Sequence, residues 1–279
     1  MKALAGGIIA WALLAASRGL ALAQAAPVAP ALIGAPPGAE ALGAQWINAP
    51  VPGGGAVLAA VIRPAGEGPF PTLILFHGTH GFGHEYVRLA QDIARGGVVT
   101  LAACWFRGAG GSGARFITPI PCPEAHAMSP PSSPESMRTV EALVRAAQTL
   151  PGVRADRVAL FGHSRGGGAV LNYILQGGRV QAAVLNSTGY PAALTPRAAD
   201  ITAPVLILHG TADSPEDGGV AVTNVERARD FHAALRSAAK TVEAVYYEGG
   251  RHNDIFAKPS QREDQVKQIV AFLLRHLRE

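Results

Sequence analysis

Charge is scarce in this sequence. Only 16% of residues are Asp, Glu, Lys or Arg, against 48% hydrophobic. Such a chain buries a core readily and does not have the composition of a disordered one. Cysteine is nearly absent, with only Cys104 and Cys122, too few for a disulfide-built scaffold. No block of like charge occurs. The 24 Lys and Arg, nearly all Arg, are scattered and give a formal charge of only +4. That excludes the clustered basic footprint of a nucleic-acid binder. Gly and Pro, at 33 and 21 residues, punctuate periodic segments without a repeat, so collagen-like and solenoid architectures are excluded. A length of 279 residues fits one α/β domain with short extras.

The first residues form a separate object. Met1-Lys2, the apolar run Ala3 to Ala16 and the small residues Ala21, Ala23 and Ala25 match a secretory signal peptide over 1–25. Cleavage is expected after Ala21-Leu22-Ala23 or after Ala23-Gln24-Ala25. The run is short for a membrane span, and Arg18 keeps it from extending further, so no stable membrane anchor is expected after cleavage. Loss of Lys2 and Arg18 lowers the formal charge from +4 to +2. The reading is a periplasmic or extracellular protein. In an oxidising compartment Cys104 and Cys122 are expected to pair. Residues 26–45 are rich in Ala, Pro and Gly without a period and read as a flexible lead-in. Residues 46–279 read as one domain.

Strands then alternate with helices. Strands are expected at Ala56–Arg63, Thr72–Phe76, Val98–Ala103, Arg157–Phe161, Val180–Asn186, Pro204–Leu208 and Thr241–Tyr247. Helices are expected at Tyr86–Arg95, from a Ser132/Glu135 capping box to about Leu150, and at Gly166–Gln176, Asn224–Ala238 and Gln261–Leu277. Near-continuous apolar strands between helices imply a mostly parallel sheet covered on both faces. In such sheets, chemistry gathers just beyond the carboxyl ends of the strands.

The run Leu160-Phe161 leads into Gly162-His163-Ser164-Arg165-Gly166. This G-x-S-x-G between strand and helix is the pattern of a nucleophile elbow. A serine there is thrust from a tight turn, and bulky side chains two positions either side would collide. A serine hydroxyl needs a base, and the base an orienting acid. In this arrangement they come in the order acid, then His. Asp213 lies in the turn after Val205–Leu208, with Glu216, Asp217 and Asp254 as competing acids. His252 lies in a Gly-rich loop after Tyr246-Tyr247 and is preferred among nine histidines. His163 adjoins the serine and is expected to face packing, and His209 ends a strand before Asp213 rather than beyond it. Oxyanion donors are expected from the backbone N–H groups of Arg165 and of Thr79, the latter in His77-Gly78-Thr79-His80-Gly81. His80, Trp105 and Phe106 are candidate substrate contacts.

Together, His77-Gly78, Arg107–Ser112, Gly162–Gly168, His209–Asp213 and Gly250–His252 resemble the α/β-hydrolase superfamily, and within it the dienelactone-hydrolase-like family, over about residues 50–279. The resemblance implies an α/β-hydrolase fold and a Ser164–His252–Asp213 triad, with no metal and no organic cofactor. The expected activity is hydrolysis of a small-molecule or polymer carboxylic ester. The sequence departs from dienelactone hydrolases proper in carrying Ser164 where they carry cysteine. No apolar insertion is large enough for a lipase-type cap, so little or no cap is expected. The competing readings are acyl transfer, perhydrolysis or peptidase chemistry on the same triad, and a non-catalytic binding protein on this fold.

Overall fold

The computed structural model describes residues 29–108, 116–215 and 219–278. The proposed signal peptide, Glu216, Asp217 and part of the Arg107–Ser112 loop lie outside the described residues. One nine-stranded sheet organises the molecule, with strand order β1-β2-β3-β5-β4-β6-β7-β8-β9. The strands are β1 Ala31–Ile33, β2 Gln45–Pro50, β3 Ala56–Ile62, β4 Phe70–Phe76, β5 Val99–Ala103, β6 Val153–His163, β7 Ala182–Asn186, β8 Val205–Gly210 and β9 Val242–Tyr247. The run from β5 through β4 to β9 is parallel, and β1, β2 and β3 join it antiparallel. The helices are α1 His84–Ala94, α2 Pro134–Thr149, α3 Arg165–Leu175, α4 Val225–Ser237, the short α5 Asp254–Ala257 and α6 Pro259–Leu277. This is the α/β-hydrolase architecture that the sequence implies.

Strand pleating divides the core in two. Ile74, Phe76 and Leu160 pack on one face with residues of α2, α3 and α4. Leu73, Leu75 and Phe161 pack on the other with residues of α1 and α6. Successive side chains point to opposite faces of a strand, and here both faces are covered. That explains why these segments are apolar throughout rather than alternating.

Three local readings need correction. The lead-in over 26–45 contains structure: β1 pairs antiparallel with β2, and Ala39 and Leu42 are buried. All three side chains of β1 are exposed although apolar, so this strand is held by backbone pairing and is too short to show a periodic pattern. Strand β2 lies where no strand was read. The cap of α2 is Ser133, not Ser132: Ser133 Oγ accepts the Ser136 N–H at 3.1 Å. Pro134 takes the first helical position, where its missing N–H is harmless and its fixed φ is helical. That sets the cap one residue later. Cys104 and Cys122 are joined by a disulfide, with their Cα atoms 6.5 Å apart.

Candidate active site

Ser164 sits between the end of β6 and the start of α3 with φ 54° and ψ −117°. A non-glycine residue at positive φ is unusual and is tolerated where the surroundings over-determine it. Here the frame is visible. A Cβ on Gly162 would lie 2.4 Å from the Gly166 backbone, and one on Gly166 would lie 2.2 Å from Phe76 O. Both flanking glycines are therefore demanded by close backbone approach. The Ser164 N–H is tied to Asn186 O at the end of β7, at 2.9 Å.

His252 and Asp213 converge on this serine from the β9 and β8 ends. Ser164 Oγ lies 2.9 Å from His252 Nε2, and His252 Nδ1 lies 2.7 Å from Asp213 Oδ2. With the imidazole proton on Nδ1, that N–H donates to the carboxylate and the serine hydroxyl donates to Nε2. The Asp213 side chain is wholly buried, while that of His252 keeps a 15% window to solvent. Burial pushes the Asp213 carboxyl up, but hydrogen bonds from His209 and His252 outweigh it and hold the group at about 2. Of the competing acids, Asp254 accepts the Arg251 N–H at 2.9 Å and caps the His252 loop.

The loop after β4 lies against the elbow. A Cβ on Gly78 would be 3.2 Å from Ser164 Cβ. Two buried side chains hold this loop. Tyr86 Oη accepts the Gly78 N–H at 2.8 Å and lies 2.8 Å from His80 Nε2. Trp105 Nε1–H donates to His77 O at 2.8 Å. Thr79 and Arg165 both line an open cleft of about 380 Å³ beside Ser164, with Pro131, Leu194, Val220 and Val222 among its walls. Arg165 opens α3, so its backbone N–H has no intrahelical partner and carries the positive end of the helix.

Three expected substrate contacts lie elsewhere. Trp105 and Phe106 are fully buried and line no part of the Ser164 cleft. Both pack tilted against the His77 ring, Phe106 at 4.5 Å and Trp105 at 6.0 Å. Both pack against the loop that follows β4. His80 is bonded to Tyr86 and faces a separate hollow beside the disulfide, with Gly81, Phe82 and Cys122.

Several polar residues at strand ends escaped the sequence reading. His163, expected in packing, is buried and also bridges two elements. Its Nδ1 lies 2.7 Å from Asn186 Oδ1, and its Nε2 lies 3.1 Å from the side-chain amide of Asn253, next to His252. Desolvation lowers His163 to about 3, His77 to about 4 and His80 to about 2. His252 therefore stands beside neutral rings, with the nearest, His163, 5.2 Å away. The available signal was a polar residue terminating an apolar run, as at His163, Asn186 and His209.

Residues 57–272 match the sequence profile of the dienelactone hydrolase family. The chain belongs to the dienelactone hydrolase family. Among curated proteins, a provisionally named carboxymethylenebutenolidase of Methylorubrum extorquens is 28% identical over 223 residues, covering 76% of this chain and 73% of its own. A provisionally named dienelactone hydrolase of Klebsiella pneumoniae superposes with a TM-score of 0.64 at 21% identity, over 81% of this chain and 96% of its own. A Pyrococcus furiosus esterase gives 0.64 at 15% identity, over 90% and 100%. A Thermogutta terrifontis esterase gives 0.61 at 18% identity, over 83% and 91%. At these identities the structural likenesses carry the fold, and the family carries hydrolytic chemistry.

Proposed function

We propose that this member of the family is an exported serine hydrolase that cleaves carboxylic esters through an acyl-enzyme. Ser164 attacks the acyl carbon while His252 Nε2 takes its proton. Asp213 fixes the His252 tautomer and stabilises the imidazolium that forms. The N–H groups of Arg165 and Thr79 receive the developing oxyanion. His252 then returns the proton to the leaving alcohol and activates the water that releases the acid. The observation that carries this reading is the unbroken chain Ser164 Oγ, His252, Asp213, at 2.9 and 2.7 Å. Export is supported by the disulfide, and among the described residues no helix is long and apolar enough to cross a membrane.

The cleft also suggests the character of the ester. The Arg165 guanidinium lies over the Phe106 ring at 5.8 Å and donates to Ser129 O, and it makes no ion pair among the described residues. A cation without a carboxylate partner beside the nucleophile favours an acyl group that carries negative charge. The name of the Methylorubrum relative, carboxymethylenebutenolidase, is in keeping with such a substrate.

The test is hydrolysis of p-nitrophenyl esters from acetyl to palmitoyl by the wild type and Ser164→Ala. Turnover that the substitution abolishes is expected. Turnover that survives it refutes the nucleophile. Added alcohol or peroxide diverting the acyl group would favour acyl transfer. Failure of a fluorophosphonate to label folded protein would favour a binding role.

A further inference from the structure

His209 lies within β8 one residue before its end, wholly buried. Its Nε2 is 2.7 Å from Thr223 O and 3.2 Å from Asp213 Oδ2. A carbonyl and an ionised carboxylate only accept hydrogen bonds, so the proton must sit on Nε2. The other nitrogen, Nδ1, is buried without a partner among the described residues. An aliphatic side chain would fill the same space without stranding a nitrogen. A buried orphan of this kind calls for an explanation, and Asp213 supplies it.

The carboxylate of Asp213 is otherwise partly provided for. Oδ2 takes the His252 Nδ1–H at 2.7 Å, and Thr223 Oγ1 donates to Oδ1 at 3.0 Å. Gly219 approaches so closely that a Cβ would sit 2.4 Å from Oδ1. We infer that His209 is a positioning residue for the triad: its Nε2–H, shared between Thr223 O and Asp213 Oδ2, fixes the rotation of the Asp213 carboxylate and draws off part of its charge. This rests on the reading of Ser164, His252 and Asp213 as the catalytic groups. His209 would touch no reacting atom and would act only through Asp213.

Loss of this donor has two consequences. The carboxylate gains freedom to rotate away from His252 Nδ1, which lowers kcat. More of its charge also falls on the His252 N–H, which favours the imidazolium and moves the acid limb of kcat/KM to higher pH. The other titratable groups around the pair stay as they are. They are His163 beside His252, Tyr190 with its ring 6.1 Å from His209, Tyr246 opposite His209 on β9, and Arg251 and Asp254 in the His252 loop.

The experiment compares wild type, His209→Leu, His209→Asn and His209→Gln in the full chain. It reads kcat and KM on p-nitrophenyl butyrate across the pH range, with urea unfolding to establish the folded fraction. Leu lacks a donor, and Asn is too short to reach the carboxylate. Each should lower kcat about tenfold, with KM within about twofold, as expected for a lost bond to a charged group, and should raise the acid limb. Gln carries an amide N–H at similar reach and should restore both. The inference is overturned if the acid limb stays in place in both donorless variants, or if activity falls only with the folded fraction. Ser164→Ala, measured alongside, separates this failure from failure of the triad itself: turnover surviving it removes the triad whatever residue 209 does.

Discussion

Tyr86→Phe removes one oxygen atom that lies outside the cleft. That oxygen accepts the Gly78 N–H at 2.8 Å and is bonded to His80 Nε2 at the same distance. Tyr86 and Gly78 are both buried, Tyr86 completely, so no bulk water can replace the lost partner. Leaving a buried amide unsatisfied costs about 1–3 kcal/mol. The protein can meet this in two ways. If the 77–81 loop keeps its geometry, the cost appears as stability, and urea unfolding should show about 1–3 kcal/mol less. If the loop shifts toward solvent, the Thr79 N–H leaves its proposed oxyanion position and the cost appears in the rate. Complete loss of one oxyanion donor costs about 100- to 1000-fold in kcat, which sets a ceiling. A partial displacement should cost about 10-fold or more. KM should change little, because the oxyanion forms only in the transition state. The assay is kcat and KM on p-nitrophenyl butyrate together with urea unfolding of the same preparation. A variant that keeps kcat within about twofold and loses under about 0.5 kcal/mol would refute the claim that Tyr86 holds this loop.

Three further outcomes are expected. His77 and His163 are buried with lowered pKa values, so the unfolded chain protonates them first and unfolding takes up protons. Stability should therefore fall as pH drops below about 6.5, by roughly 3 kcal/mol between about pH 7.5 and 5.5 for the two together, and continue to fall toward the folded values near 4 and 3. Urea midpoints that stay flat over that interval would contradict this. The double substitution Cys104→Ser/Cys122→Ser opens a loop spanning 18 positions and should lower stability by about 3 kcal/mol, read by urea unfolding against the oxidised wild type. Arg165→Gln keeps the backbone N–H but removes the charge. It should cut kcat/KM for a p-nitrophenyl hemisuccinate about 10-fold while leaving the butyrate nearly unchanged; equal effects on both esters would remove the case for an anionic acyl group.

The parallel part of the sheet was legible because burial on both faces leaves an unbroken apolar run, as at Leu73–Phe76 and Leu206–Leu208. The elbow was legible because steric closure demands glycine at Gly162 and Gly166. Asp213 and His252 were legible from chain order and strand ends, and the structure brings both to Ser164. Strand β1 was not legible, since backbone pairing needs no particular side chain. The misread role of Trp105 and Phe106 has a different cause. A buried aromatic next to a strand end looks the same in sequence whether it faces a cleft or props a loop, and only the Trp105–His77 bond tells the two apart. The nearness of His209 to Asp213 was hidden for a similar reason: it precedes the acid by four residues, and only the turn after β8 brings the two side chains together.

Ser164, Asp213 and His252 hang on β6, β8 and β9, the last two joining the sheet one beyond the other at its edge. The serine and the histidine that bonds it are separated by 88 positions, and the aspartate and histidine by 39. Competence on the proposed chemistry is thus a property of the finished C-terminal half. A chain ending at β7 would carry Ser164 without the base and the acid that the proposed chemistry requires.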